Sequence, residues 1–324
     1  MEEKVKVTLS DHLTKLQSIK KAITQVFNDD ESRFRLLTTI KICSIPLITI
    51  LIMIGLLLVI LRLDLLFFEA HGLTNIDSLA ETFYDYILKN VLETLPYMGL
   101  FFVVLIFIGV YIANLFLRPF RLISEYCEKA IKDGSASYDP DFFTDLKLLT
   151  RFSEYFFNYM ENGVKEGVIK KTTVPTKYTK IHSPVFEKDF FIQFSFLIVL
   201  TSIVVGVSLN LAAVEIHDGL ISLAHEILKP TTVVKHFLEQ QTRLLQDVLL
   251  FVTTLHVFLY LFLAIHLYGK ISAPAFGIFA TMRSFIKGNH SSRVHLIGNY
   301  FLRPHCRVIN KYLDYLQKNY VVND

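Results

Sequence analysis

Tryptophan is absent from this chain, and cysteine nearly so. Cys43, Cys127 and Cys306 are the only three cysteines among 324 residues, with no CxxC and no spacing that pairs them. Nothing marks a disulfide framework or a thiolate metal site, and three free thiols in reducing surroundings are expected. Charge is scarce as well: Asp, Glu, Lys and Arg make up 19% of residues, below the roughly 25% of an ordinary soluble chain. A formal net charge of +3 offers no strongly basic face for nucleic acid. No phosphate loop, HExxH or GxSxG occurs, so no catalytic residue, metal or cofactor is predicted and an enzyme is not expected. The first 38 residues are polar. A cleavable signal peptide is therefore not expected, and the first span is expected to act as its own insertion signal.

What the chain has is apolar bulk: 52% hydrophobic residues, 28 of them Phe. About 20 apolar residues cross the hydrocarbon core as a helix. Four runs qualify, Ile42 to Leu61, Leu95 to Leu117, Phe190 to Ala213 and Val248 to Tyr268, and none contains Asp, Glu, Lys or Arg. Lys and Arg number eight in 1–41, twelve in 118–189 and eight in 270–324, against one in 65–94 and three in 214–247. Positive loops stay inside, so both termini and the 118–189 segment are expected to be cytoplasmic, in the cell (inner) membrane of a multi-pass protein. The two outer segments are expected to be short and helical. Ser78 and Glu81 have the spacing of a capping box, and Lys229-Pro230 divides the second outer segment.

The chain also repeats itself at a period of about 150 residues. Each half reads as span, short outer segment, span and helical hairpin, in the same orientation. Pro119 begins one hairpin and Pro274 the other. Apolar residues follow at helical spacing: Ile123, Cys127, Ala130 and Ile131 in one, and Ile278, Met282, Phe285 and Ile286 in the other. A glycine then stops each helix, Gly134 and Gly288. After a polar connector comes a second stripe: Leu148, Phe152, Tyr155 and Tyr159 in the first half, His305, Val308, Tyr312 and Tyr315 in the second. Asn158 and Asn310 lie near its end.

This pattern resembles the HAMP domain, the linker module of chemoreceptors and sensor kinases. The family places a proline after a span, then a helix, a glycine, an extended connector, a second helix and an Asn near its close. "GNHSSRV", Gly288 to Val294, and "FFNYM" around Asn158 carry the likeness, which covers about 90 residues in two blocks and not the spans. The departures are the missing acidic pair before the second helix of the second block, where "NYFLRP" stands; His290 at a connector position that is usually apolar; and Pro304 in or at the start of a helix. A HAMP unit is ordinarily a parallel four-helix bundle of two chains, convertible between two packings. The resemblance implies that one chain with two hairpins builds a pseudo-symmetric version by itself, with pairing between molecules as the alternative.

The expected architecture is thus an all-α integral membrane protein. It has four transmembrane helices in two parallel tandem repeats, each followed by a HAMP-like cytoplasmic helical hairpin. Residues 1–40 form an amphipathic helix with Leu9, Leu13, Leu16, Ile19, Ile23 and Val26 on one stripe. Residues 41–117 are the first transmembrane pair, 118–162 the first hairpin, 163–189 a polar linker, 190–269 the second pair and 270–324 the second hairpin. The hairpin core and connector are assigned to Pro119, Ile123, Gly134, Asn158, Pro274, Ile278, Gly288, Val294 and Asn310. About a dozen residues follow Asn310, so no output domain is expected there.

The histidines read first as structural. His217, His225 and His236 fit exposed polar positions on a short helix better than a metal site. His256 and His266 lie on nearly one face of the fourth span, where a neutral imidazole hydrogen-bonded between helices is favoured over a proton-sensing role. Ser202 and Gly206 read as a small-residue contact. Three functions remain: a signal relay acting through a separate cytoplasmic protein, a structural or docking subunit of a larger membrane complex, and, last, a transporter. The partners expected are membrane lipid and a cytoplasmic protein.

Overall fold

The computed structural model describes residues 29–71, 76–133, 138, 146–227 and 232–321. The predicted N-terminal helix (1–40) and Gly134 therefore lie largely or wholly outside the described residues. Among those described there is no strand. Helix α1 is Asp30–Ala70, α2 Ile76–Asp133, α3 Lys147–Glu166, α4 a single turn at Thr176–Thr179, α5 Lys188–Ile227, α6 Thr232–Ile286 and α7 Arg303–Tyr320, preceded by a 3-10 turn at Tyr300–Leu302. Four of them, α1, α2, α5 and α6, are long and apolar enough to cross a membrane. They run to 41, 58, 40 and 55 residues, well past the 20 or so that spanning needs. The described residues of the two predicted outer segments, His71 apart, are thus extensions of the spanning helices. Ser78 falls inside α2 and is not its cap, because the helix already includes Ile76 and the Ser78 carbonyl accepts from Thr82 Oγ1 at 2.8 Å.

Pro119 and Pro274 likewise do not start helices; they lie within α2 and α6. Proline in a helix deprives the carbonyl four residues back of its donor, and Pro46 in α1 shows how the loss is made good. Its missing N–H would have served the Ile42 carbonyl, which instead accepts from the Tyr260 hydroxyl of α6 at 3.2 Å. Tyr260 is fully buried there.

Contacts divide the chain into two compact units. Among the described residues, one comprises 29–38, 110–192 and 267–321, the other 39–109 and 193–266. The second unit is the apolar one. Leu61, Leu65, Phe68, Phe83, Ile87 and Leu238 form one core cluster, with Phe67 stacked on Phe237 at 3.6 Å. Met53, Leu57, Ile60, Leu245 and Val252 form another. Around them Leu51, Leu100, Phe107, Leu211, Leu250 and Phe262 stand exposed, the outward face expected of helices solvated by acyl chains. Further polar contacts cross inside this unit: Asn210 Nδ2 donates to Thr253 Oγ1 at 2.7 Å, His256 Nδ1 lies 2.8 Å from Thr49 Oγ1, and Lys41 Nζ lies 3.2 Å from His266 Nε2. His256 is therefore a hydrogen-bonded interhelical side chain. Gly206 meets Thr253, with Ser202 buried one turn earlier.

Candidate functional site

The first unit carries the residues that the sequence singled out. Its core is lined by four helical stretches. The α2 stretch after Pro119 contributes Phe120, Ile123, Cys127 and Ala130, and the end of α6 contributes Ile278, Phe279, Met282, Phe285 and Ile286. From α3 come Leu149, Phe152, Phe156, Phe157 and Met160, and from α7 Ile309, Tyr312, Leu313 and Leu316. Rings join the stretches pairwise: Phe152 with Phe279 at 4.7 Å, Tyr126 with Phe157 at 4.1 Å and Tyr126 with Tyr312 at 6.2 Å. Burial pushes the Tyr126 phenol up to about 12 and the Cys306 thiol up to about 11, so neither group is a nucleophile or base at neutral pH. Of the predicted second stripes, Phe152, His305 and Tyr312 are buried, and the other five residues each stand one place before a buried one. Leu148, Tyr155, Tyr159, Val308 and Tyr315 are only half-buried.

The connector between α6 and α7 is held at several points. Gly288 ends α6 at φ +102°, with its N–H donating to the Phe285 carbonyl at 3.1 Å. Val294 is buried and bound to Asn310 through both backbone groups, at 2.7 and 3.1 Å. Arg293 reaches Asp314 Oδ1 at 2.6 Å and the His290 carbonyl at 2.8 Å. His290 packs edge-on against Phe285 at 4.9 Å, and burial lowers its pKa. A neutral ring thus does the work of the apolar residue expected there. Pro304 lies in the first turn of α7, where its lost donor has no helical acceptor to serve. Val294 and Asn310 are thus brought together, while Gly288 faces Lys171. Asn158, in contrast, is exposed on α3, and most of the connector before it lies outside the described residues.

Sequence reasoning missed a polar cluster at the start of α1. Glu31 accepts from Arg35 at 2.9 Å and Arg121 at 3.1 Å, and its Oε1 lies 3.0 Å from His305 Nε2. The other ring nitrogen of His305 is 2.7 Å from Ser124 Oγ. One carboxylate thereby ties α1, α2 and α7, with Phe34 stacked on Phe301 at 4.1 Å alongside. The His305 ring beside it is the largest cause holding the Glu31 carboxyl at about 2, opposed by burial and aided by Arg121. His305 stands in an otherwise apolar stripe, which is the one sequence signal of a buried polar partner.

The stretch read as a polar linker (163–189) is a structural member of this unit. Ile169, Val174 and Tyr178 are buried. Thr172 N–H donates to the Ile286 carbonyl at 3.1 Å, and Ile169 N–H to Tyr320 at 2.8 Å. Arg283 donates to the Tyr178 and Ile181 carbonyls at 2.9 and 2.5 Å. Glu187 accepts from the Leu148 N–H at 2.9 Å, supplying at the start of α3 the acid missing at that place in its own sequence.

Among the described residues no three His, Cys, Asp or Glu side chains gather as metal ligands. His217 is buried on α5, against the exposed position expected of it, while His225 and His236 are exposed. Comparisons with protein-family models, curated proteins and solved structures find no match for this chain.

Proposed function

We propose that this protein is a membrane signal relay that acts on a separate cytoplasmic protein and performs no catalysis of its own. In this reading the four spans form two parallel tandem repeats in the cell (inner) membrane, with both termini inside. The two HAMP-like hairpins pair within one chain. The observation that carries it is the shared core of four helical stretches, in which Ile123 of one predicted hairpin and Ile278 of the other are both buried and rings from all four meet. Two of the stretches continue helices long enough to cross a membrane, so displacement of a span reaches that core without passing through a loop. A second reading, a docking subunit of a larger membrane complex, draws on the fastened connector: the Asn310 bonds to Val294 and the Arg293 bond to Asp314 favour one fixed packing.

The test is photo-crosslinking in the protein's own cells from the exposed positions Arg151 on α3 and Lys311 on α7, followed by mild solubilisation and copurification. The relay predicts one cytoplasmic signalling protein, crosslinked from both positions and released on purification. A large assembly of fixed stoichiometry supports the docking subunit. No crosslink at either position removes the relay.

A further inference from the structure

The second unit contains a cavity of about 260 Å³, larger than the roughly 150 Å³ apolar void that admits benzene. Its wall comes from α1, α2 and α5, with Ile54, Leu57, Met98, Phe101, Leu209 and Ala212 among the lining residues. Three hydroxyl-bearing residues also line it: Thr94 Oγ1 donates to the Asn90 carbonyl at 2.7 Å and Ser208 Oγ to the Val204 carbonyl at 2.9 Å, each within its own helix, and Tyr97 stands at the exposed edge. With both of these helix-bound donors spent and the rest of the wall apolar, the slot suits a hydrocarbon occupant.

The gap lies between two glycine contacts, one on either side of it. On one side α1 and α2 touch at Gly109, where a Cβ would sit 2.8 Å from Thr39 Cα. On the other, a Cβ at Gly219 of α5 would fall on the phenol of Tyr86 in α2. Between these two contacts the lining runs from Val91 to Phe101 and from Val205 to Ile216. Those stretches measure about 15 and 16 Å at about 1.5 Å per residue. That is half the roughly 30 Å hydrocarbon core, the depth of one leaflet and so the length of one acyl chain. Tyr97, among the lining residues, is 74% exposed, and Leu100 and Leu211 beside it are exposed too. The slot therefore opens onto the surface that faces lipid.

We propose that this slot holds one acyl chain of a membrane phospholipid, seated between α1, α2 and α5 as part of the folded unit. The phospholipid is preferred to a second copy of the chain because the slot is about one leaflet long and lies between the Gly109 and Gly219 contacts of its own helices.

Native mass spectrometry of the full chain in mild detergent with added palmitoyl-oleoyl phosphatidylglycerol tests it. The wild type is expected to retain one phospholipid after detergent is stripped. Ala212→Phe, which fills the slot, is expected to lower the retained fraction at least tenfold while keeping helical circular dichroism. Leu250→Phe, on the exposed face of α6, is expected to leave it unchanged. If Ala212→Phe loses helicity, the smaller Ala212→Leu is read in the same way. Equal retention by wild type and filled variant overturns the proposal, as does no retained lipid, equal loss in Leu250→Phe, or a wild-type dimer that the filling variants convert to monomer.

Discussion

Asn310 grips Val294 through both of its backbone groups: the side-chain Oδ1 accepts from the Val294 N–H at 2.7 Å, and Nδ2 donates to the Val294 carbonyl at 3.1 Å. Val294 is 3% exposed, so neither group has water to fall back on. Asn310→Ala is expected to destabilise the protein by about 1–3 kcal/mol, the cost of an orphaned buried polar group, and to speed hydrogen exchange at the Val294 amide. Asn310→Asp keeps the acceptor and loses the donor. It should hold the Val294 amide slow while still lowering the melting temperature.

Gly288 sits at φ +102°, where a side chain is strained by about 1–2 kcal/mol. A Cβ there would also approach Lys171 Cβ to 3.3 Å. Gly288→Ala is expected to lower thermal stability by that order, and Gly288→Asn by less, since Asn tolerates positive φ. Equal melting of wild type and both variants would remove the conformational role of this glycine.

Acid should loosen the cluster at the start of α1. The Glu31 carboxyl, ordinarily near 4.5, is held at about 2 in the folded protein. Because the folded value is the lower one, the carboxylate stabilises the fold fully above about 4.5 and loses this contribution as pH falls toward 2. Melting followed between pH 7 and pH 3 should show an acid limb that Glu31→Gln flattens. His305→Gln, which removes the largest cause of the shift, should shrink the limb by raising its lower end toward 4.5.

Tyr260 and Pro46 should be coupled although they never bond directly. The Tyr260 hydroxyl serves the Ile42 carbonyl that Pro46 leaves without a donor. Tyr260→Phe is expected to cost about 1–3 kcal/mol. In a Pro46→Ala background, where the helix regains its own N–H, the same substitution should cost measurably less. A double-mutant cycle with zero coupling would show that the hydroxyl does not perform this service.

The spanning helices were legible because long apolar runs allow little else in a chain of this composition. Ile123 and Ile278 were equally legible, since an apolar residue every three or four positions beside a polar face must turn inward. In the second stripes Phe152, His305 and Tyr312 turn inward as expected, and the other five positions fall one residue off for a physical reason. Leu148-Leu149, Tyr155-Phe156 and Tyr315-Leu316 each offer two apolar neighbours on one turn, and periodicity alone cannot choose between them. Asn310 was visible as a position, and its grip on Val294 was not. Glu31, Arg121 and Ser124 were missed because their meaning lies in His305, far along the chain. Glu187 caps α3 from beyond the helix's other end, and no local pattern announces that.

The fastening of 168–181 onto later parts of the chain has a consequence for synthesis. This stretch leaves the ribosome well before Arg283, Ile286 and Tyr320, whose groups bind its backbone. Glu31 likewise waits for His305. The nascent protein therefore carries the backbone groups of this stretch without those partners through the whole translation of α5 and most of α6. The first half made alone should be a substrate for quality-control proteolysis, rescued when the second half is supplied as a separate polypeptide.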